Sequence, residues 1–112
     1  MIHKLTINLL SLNHINNNHK NIEGRLKRGY FVTNPILIGD IIEFYNKNYK
    51  CIVQVTNITE YTGINEYLSS EPIKYIIPET DNILEALSCY EKYYTKKKLY
   101  RFPILAIKFT KL

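Results

Sequence analysis

Residues 39–58, GDIIEFYNKNYKCIVQVTNI, carry the pattern of a β-hairpin, and no other segment restricts the fold as much. Gly39 and Asp40 are turn residues ahead of the short apolar run IIEFY, and the polar NKN then reverses the chain. The run that follows, YKCIVQVTNI, is rich in β-branched residues, which pack well on the pleated surface of a sheet. We therefore expect two antiparallel strands here, with a sheet built around them.

Further strands are predicted on both sides of this hairpin. They cover residues 3–10, residues 20–27 and the closing segment FPILAIKFTKL. The Asn-rich SLNHINNNH between the first two is typical of a short helix or turn, and residues 28–38 are expected to form a loop.

Two helices are predicted in the second half. A short one begins at Thr62-Gly63-Ile64 and is stopped by Pro72. In ILEALSCYEKYY the apolar residues recur at spacings of three and four, which indicates a helix capped by Thr80 or Asp81. These elements predict one α+β domain over residues 1–112: a small, partly closed β-barrel of five to six mostly antiparallel strands with two or three short helices.

Composition excludes several classes of protein. The chain has 112 residues, 46% hydrophobic and 22% charged, as expected for one folded domain rather than a disordered chain. It has no apolar run long enough to span a membrane and no small-residue cleavage site near its start, so we expect an intracellular, cytoplasmic protein. Cys51 and Cys89 form no CxxC pair and are expected to be buried free thiols, with no metal and no cofactor.

Charge is distributed unevenly along the chain. Residues 1–34 carry five Lys or Arg against one carboxylate, residues 35–89 carry three against eight, and residues 90–112 carry seven against one. If the two ends meet in space, a basic face forms opposite an acidic one. A basic face attracts polyanions such as RNA, but the same charge could also serve only solubility.

The segment HKNIEGRLKRGYF, residues 19–31, places Lys20, Glu23 and Arg25 close together. In a strand, Glu23 and Arg25 would share a face, whereas Lys20 would lie on the other face unless the backbone turns near Asn21. Spacing alone leaves two interpretations open. One is a surface ion pair between Glu23 and Arg25, and the other is the polar lining of a site.

HKNIEGR resembles the GxKxxExR signature of ASCH domains, a branch of the PUA-like β-barrels. The order of later segments is also similar to that family: IGDIIEF, a β-branched strand, a turn at Pro78, a helix ending in Tyr90 and Tyr94, and ILAIKF. One departure is Asn18 at the first glycine of the signature. Because asparagine tolerates left-handed backbone better than most residues, the resemblance survives this change.

This resemblance implies a cleft lined by Lys20, Glu23 and Arg25 beside a basic surface, in a module that binds RNA or a nucleotide. One bacterial branch of the family removes the acetyl group of 4-acetylcytidine with a Lys, a Thr three residues later and a Glu in the following helical region. Transferred by position, these are Lys20, Glu23 in place of the Thr, and Glu71. Without the Thr hydroxyl, water would have to attack directly, with Glu23 orienting it, Lys20 as base and Glu71 relaying the proton.

The other candidate ligand contacts are assigned by chemistry. Arg25 can hold a phosphate or a base edge with its planar fork of donors, and Glu23 can accept from an exocyclic amine of a base while it orients Arg25. Tyr30 or Phe31 is the expected stacking partner. Phosphate contacts are predicted for Lys27, Arg28, Lys96, Lys97, Lys98 and Arg101. For TKKKLYR, a solvent-exposed loop without function is the alternative. A protein-interaction domain with an acidic and a basic face is the remaining hypothesis for the whole chain.

Overall fold

The computed structural model describes residues 1–112. Its strands are β1 (Ile2–Thr6), β2 (Ile22–Leu26), β3 (Ile41–Asn46), β4 (Tyr49–Tyr61) and β5 (Ile104–Lys111). Its helices, all short, are α1 (Leu9–Asn16), α2 (Tyr30–Thr33), α3 (Ile64–Ser70), α4 (Ile73–Ile76), α5 (Ile83–Glu91) and α6 (Lys96–Arg101).

One sheet contains all five strands, in the order β1-β3-β4-β5-β2. The β1–β3 pair is parallel and the other three pairs are antiparallel. The predicted hairpin is confirmed as β3–β4, with Asn46 opposite Tyr49 and Lys47 at a φ of 54° in the turn. The sheet curls into a half-barrel, so the predicted α+β class with a partly closed, mostly antiparallel barrel is confirmed. β1 and β2 are left as its edge strands.

The sheet separates two hydrophobic cores. Side chains of β1, β3, β4 and β5 join those of α1 in the first core, whereas β2 and β5 meet helices α3 to α6 in the second. Strand β5 serves both because its side chains alternate between faces: Ile107 and Phe109 belong to the first core, Ile104 and Ala106 to the second. β5 therefore contributes side chains to both hydrophobic cores.

The chain contains more helix than the sequence predicted. The first strand ends at Thr6 rather than at residue 10, because the Asn8 side chain caps α1 by accepting from the Ser11 N–H at 2.8 Å. TKKKLYR forms α6 rather than a loop, with Thr95 as its cap and Leu99 fully buried. Single-turn helices α2 and α4 were not predicted either.

Helix α5 lies where it was predicted, but its cap and its buried face differ. Asn82, not Thr80 or Asp81, caps it by accepting from the Glu85 N–H at 3.1 Å. Ala86 and Tyr90 are buried, while the first apolar residues of the pattern are exposed. The helix thus presents its C-terminal half to the sheet, which is the half that forms part of the site below.

The two basic ends of the chain come together, because all of β2 pairs with residues 104–108 of β5, with Ile22 opposite Lys108. The charge distribution predicted a basic face on the condition that these two ends meet in space, and they do meet. None of the helices is long and apolar enough to cross a membrane.

Candidate functional site

A cleft of about 730 Å³ lies beside the two edge strands of the half-barrel. Its walls are the end of β1, the first turn of α1, strand β2, the segment between α4 and α5, and the end of α5 with the turn that follows. Lys20, Glu23 and Arg25, the residues of the signature segment, all line this cleft.

These three side chains form one continuous ionic chain. The Lys20 ammonium, 3% exposed, donates to the carbonyl oxygens of Ile22 and Ile76, each at 2.6 Å, and lies 3.1 Å from Glu23 Oε1. The other carboxylate oxygen, Glu23 Oε2, accepts from Arg25 Nε at 2.7 Å. The Lys20 ammonium is therefore held by two carbonyl oxygens and one carboxylate oxygen, and the two oxygens of Glu23 face Lys20 and Arg25.

Arg25 also bridges the gap between the edge strands. Its Nη2 donates to the carbonyl oxygen of Thr6, at the end of β1, at 2.7 Å. The Arg25 side chain is 18% exposed, and its remaining N–H groups make no hydrogen bond within the protein. Arg25 is thus the member of the chain that has donors left for a ligand.

Burial and mutual attraction set the charge states. Burial lowers the pKa of Lys20, although Glu23 opposes this. For Glu23, burial by itself raises the pKa, but Lys20 and Arg25 outweigh it and the net shift is downward. For Arg25, burial lowers the pKa but Glu23 outweighs it, so the pKa is raised. With all three groups ionised, the ionic chain of Lys20, Glu23 and Arg25 has one net positive charge at the cleft wall.

A backbone turn brings Lys20 to the same side as Glu23. Asn18 has a φ of 60°, the left-handed geometry expected where asparagine replaces the signature glycine. The N–H groups of His19 and Lys20 then both donate to the carbonyl oxygen of His14, at 2.8 and 3.2 Å. Because β2 begins only at Ile22, strand alternation does not apply to Lys20.

Gly24, between Glu23 and Arg25, lies against two buried phenols. The hydroxyls of Tyr67 and Tyr90 are 2.8 Å apart, and a Cβ on Gly24 would lie 2.5 Å from each. The glycine thus allows α3 and α5 to pack directly on β2 and places Tyr90 in the cleft wall.

The aromatic residues of the cleft are not those predicted. The Tyr30 hydroxyl lies 2.8 Å from Nδ1 of the buried His3, and Phe31 packs against Tyr30 and the first core, so neither lines the cleft. Tyr90, Tyr93 and Tyr94 line it instead. The helical spacing of Tyr90 and Tyr94 was the sequence signal for these residues, but it indicated only a buried helix face.

The carboxylate assigned to catalysis also lies elsewhere. Glu71 is buried outside the cleft, where it accepts from the Tyr61 hydroxyl and lies 3.2 Å from Lys108 Nζ. Glu79, in the turn before α5, lines the cleft instead, and its charge acts on Lys20. Sequence analysis missed Glu79, although its place after Pro78 in a turn was a signal that it could face a site.

The predicted phosphate-binding residues divide into two groups. Lys27 forms an ion pair of 2.7 Å with Glu60, while Arg28 lies over the rings of Tyr94 and Phe102, and Arg101 also lies over Phe102. The α6 lysines are exposed; they are Lys96, Lys97 and Lys98. Lys92, which was not predicted, lines the cleft itself.

No group of three or more His, Cys, Asp or Glu side chains could hold a metal ion.

Solved structures with the same fold support the sequence resemblance. Hypothetical protein PH0355 is 26% identical over the whole of both chains, with a TM-score of 0.88. Protein PF0455 from Pyrococcus furiosus is 27% identical over all of this chain and 98% of its own, with a TM-score of 0.78. An ASCH domain from Lactobacillus crispatus is 10% identical over 97% of this chain and 79% of its own, with a TM-score of 0.69.

No family model and no curated protein matches the sequence. The structural likeness nevertheless shows the fold: the chain has the fold of an ASCH domain. The resemblance carried by HKNIEGR is thereby confirmed at the level of the fold.

Proposed function

We propose that this domain binds single-stranded RNA or a nucleotide, and that one unpaired base enters the cleft beside β1 and β2. The observation that carries the proposal is the ionic chain of Lys20, Glu23 and Arg25 in the wall of a single cleft that also contains exposed tyrosine. A cleft of about 730 Å³ is large enough for a nucleotide-sized ligand.

Arg25 is the proposed anchor for the ligand. It is held in place by Glu23 on one side and by the Thr6 carbonyl on the other, so its free N–H groups are oriented before a ligand arrives. Such a fork binds a phosphate or a base edge in a bidentate manner. Glu23, whose oxygens are both engaged, orients Arg25 rather than reading the base.

Glu79 is the proposed reader of the base. Its carboxylate lines the cleft and is 41% exposed, so it can accept from the exocyclic amine of a base such as cytosine. Tyr93 and Tyr94 can supply the aromatic face on which an unpaired base stacks. Lys92 and the exposed lysines of α6 would contact phosphates, which contributes affinity without sequence preference.

Arg25→Ala is expected to weaken the binding of a fluorescein-labelled, ten-nucleotide single-stranded RNA by about 10- to 100-fold, the effect of one lost hydrogen bond to a charged group. Fluorescence anisotropy at several salt concentrations measures this, and the affinity of the parent protein should fall as salt rises. Arg25→Lys keeps the positive charge but not the planar arrangement of donors, so its affinity for the RNA should lie between those of the parent and Arg25→Ala.

Lys50→Ala is the matched control, because it removes one positive charge from an exposed position of β4 away from the cleft. It should change the affinity by less than about threefold. An Arg25→Ala protein that is folded by circular dichroism and binds RNA like the parent would contradict the proposal.

Amide hydrolysis of 4-acetylcytidine is the second candidate function, and the presence of Glu79 in the same cleft as Lys20 favours it. Glu79 would take a proton from water as the water oxygen adds to the acetyl carbon. It would return that proton to the amine as the C–N bond breaks, which leaves acetate and cytidine. Because the Lys20 ammonium is held by two carbonyl oxygens and by Glu23, Lys20 supplies positive charge in this scheme rather than a base.

If the domain is such an enzyme, we expect it to convert 4-acetylcytidine to cytidine. The substitution Glu79→Gln should then lower the rate at least about 100-fold, which is the usual contribution of a general acid or base. Chromatography of the products measures the conversion. Glu85→Gln, an exposed carboxylate of α5, is the control and should retain the rate. Failure of the parent protein to release cytidine at high enzyme concentration would exclude this substrate.

A further inference from the structure

His14 of α1 faces the same Glu79 carboxylate from the side of the helix. Its Nε2 lies 3.7 Å from Glu79 Oε1 and is a buried nitrogen without a hydrogen-bond partner. Buried polar atoms are almost always paired, since leaving one unpaired is unfavourable. His14 Nε2 and the Glu79 carboxylate are therefore close to each other but not hydrogen-bonded.

Only a small movement separates them from a hydrogen bond. Charged N–H···O pairs in proteins are about 2.7–2.9 Å long, roughly 1 Å shorter than the distance here. The Glu79 side chain is 41% exposed and can make this movement, whereas the His14 ring, 20% exposed, is held by its helix.

Few other charged or titratable groups face the His14 ring. The His19 ring is 6.0 Å away, centroid to centroid, and the adjacent Lys20 is bound to the His14 backbone carbonyl through its N–H. The Lys20 ammonium is directed to Ile22, Ile76 and Glu23 instead. Glu79 is the carboxylate within ion-pair distance of His14.

We propose that His14 decides whether Glu79 is available to a ligand: protonated His14 draws the carboxylate onto α1, and neutral His14 leaves it in the cleft. Histidine is the side chain that ordinarily changes charge between pH 5 and 8, so the cleft would read an amine-bearing base at neutral pH and not in mild acid. This inference rests on the proposed function for the identity of the ligand, but the His14–Glu79 pairing can be measured without one.

The first experiment therefore uses the free protein. Long-range ¹H–¹⁵N spectra of the histidine rings are recorded as the pH is lowered from 8 to 5.5. We expect a hydrogen-bonded Nε2–H signal of His14 to appear in the parent protein and to be absent from Glu79→Ala. The His19 signals should be the same in the two proteins at each pH. Identical His14 spectra in the two proteins would overturn the inference.

The second experiment measures base preference with the octanucleotides rC8 and rU8. The parent should bind rC8 about tenfold more tightly at pH 8, the effect of about one hydrogen bond to a charged group, and lose this preference at pH 5.5. His14→Phe, which keeps a ring but has no N–H to donate to Glu79, should keep the preference at both pH values, which a purely structural role for His14 would not produce.

The outcomes separate the two proposals. RNA binding with a base preference that does not depend on pH would overturn the role of His14 while the proposed function stands. Absence of binding by either RNA, with the histidine signals behaving as expected, would contradict the proposed function and support the His14–Glu79 pairing.

Discussion

Lys20→Met is expected to lower the free energy of unfolding by about 3–5 kcal/mol, the usual cost of removing one partner from a buried ion pair. The substitution keeps the length of the side chain but leaves the Ile22 and Ile76 carbonyl oxygens without their donor. Glu23 also loses one of its two partners while it stays largely buried. Urea denaturation followed by circular dichroism measures the loss.

Two further variants make this result interpretable. Lys50→Met changes an exposed lysine of β4 and should alter stability by no more than about 0.5 kcal/mol. Adding Glu23→Gln to Lys20→Met leaves the guanidinium of Arg25 without its carboxylate partner and should lower the stability further. A loss below about 1 kcal/mol for Lys20→Met would mean that Lys20 does not hold the chain of charges together.

Gly24→Ala is expected to cost about 1–3 kcal/mol, the range found for added methyl groups in a packed core, and more if the tyrosines cannot move. Its Cβ would lie 2.5 Å from the hydroxyls of both Tyr67 and Tyr90, far inside contact distance. Those phenols are buried and paired with each other, so they cannot swing away without breaking that hydrogen bond. Thermal and urea denaturation measure the change.

Gly63→Ala is the matched control for this prediction. Gly63 has an extended backbone with a φ of −169°, and a Cβ there would meet nothing within 4 Å. The same glycine-to-alanine change should therefore leave stability within about 0.5 kcal/mol or raise it slightly. Equal losses at the two glycines would show that packing against the tyrosines is not what requires Gly24.

Local sequence was sufficient for the elements whose signals are short in range. The β3–β4 hairpin followed from turn residues and β-branched runs. The left-handed backbone of Asn18 agrees with the tolerance expected of asparagine there, although the turn that brings Lys20 to the cleft had been expected near Asn21. The signature segment itself located three members of the cleft wall. Each of these depends on neighbours within a few residues, which a single sequence displays.

The remaining features of the site depend on how distant segments pack. Tyr30 is close to Arg25 in sequence but is bound to His3 on β1, whereas Tyr94 is far in sequence and lines the cleft, because α5 packs against β2. Glu79, which the sequence analysis did not consider, lines the cleft in place of Glu71 because of the path that the chain takes after α4.

Helix α6 shows the same limitation for the fold. Its run of lysines was compatible with an exposed loop, but one leucine, Leu99, is fully buried in the second core and Thr95 supplies a cap. A single buried anchor stabilises a helix that composition alone does not predict.

We propose above that a nucleotide enters the cleft beside the edge strands. Titration of the ¹⁵N-labelled protein with a short single-stranded RNA, followed by amide chemical shifts, tests it most directly. We predict that the largest shifts occur at Arg25, Glu79 and residues 92–94, with little change in the β3–β4 turn. Shifts confined to α6, or absent altogether at millimolar RNA, would contradict it.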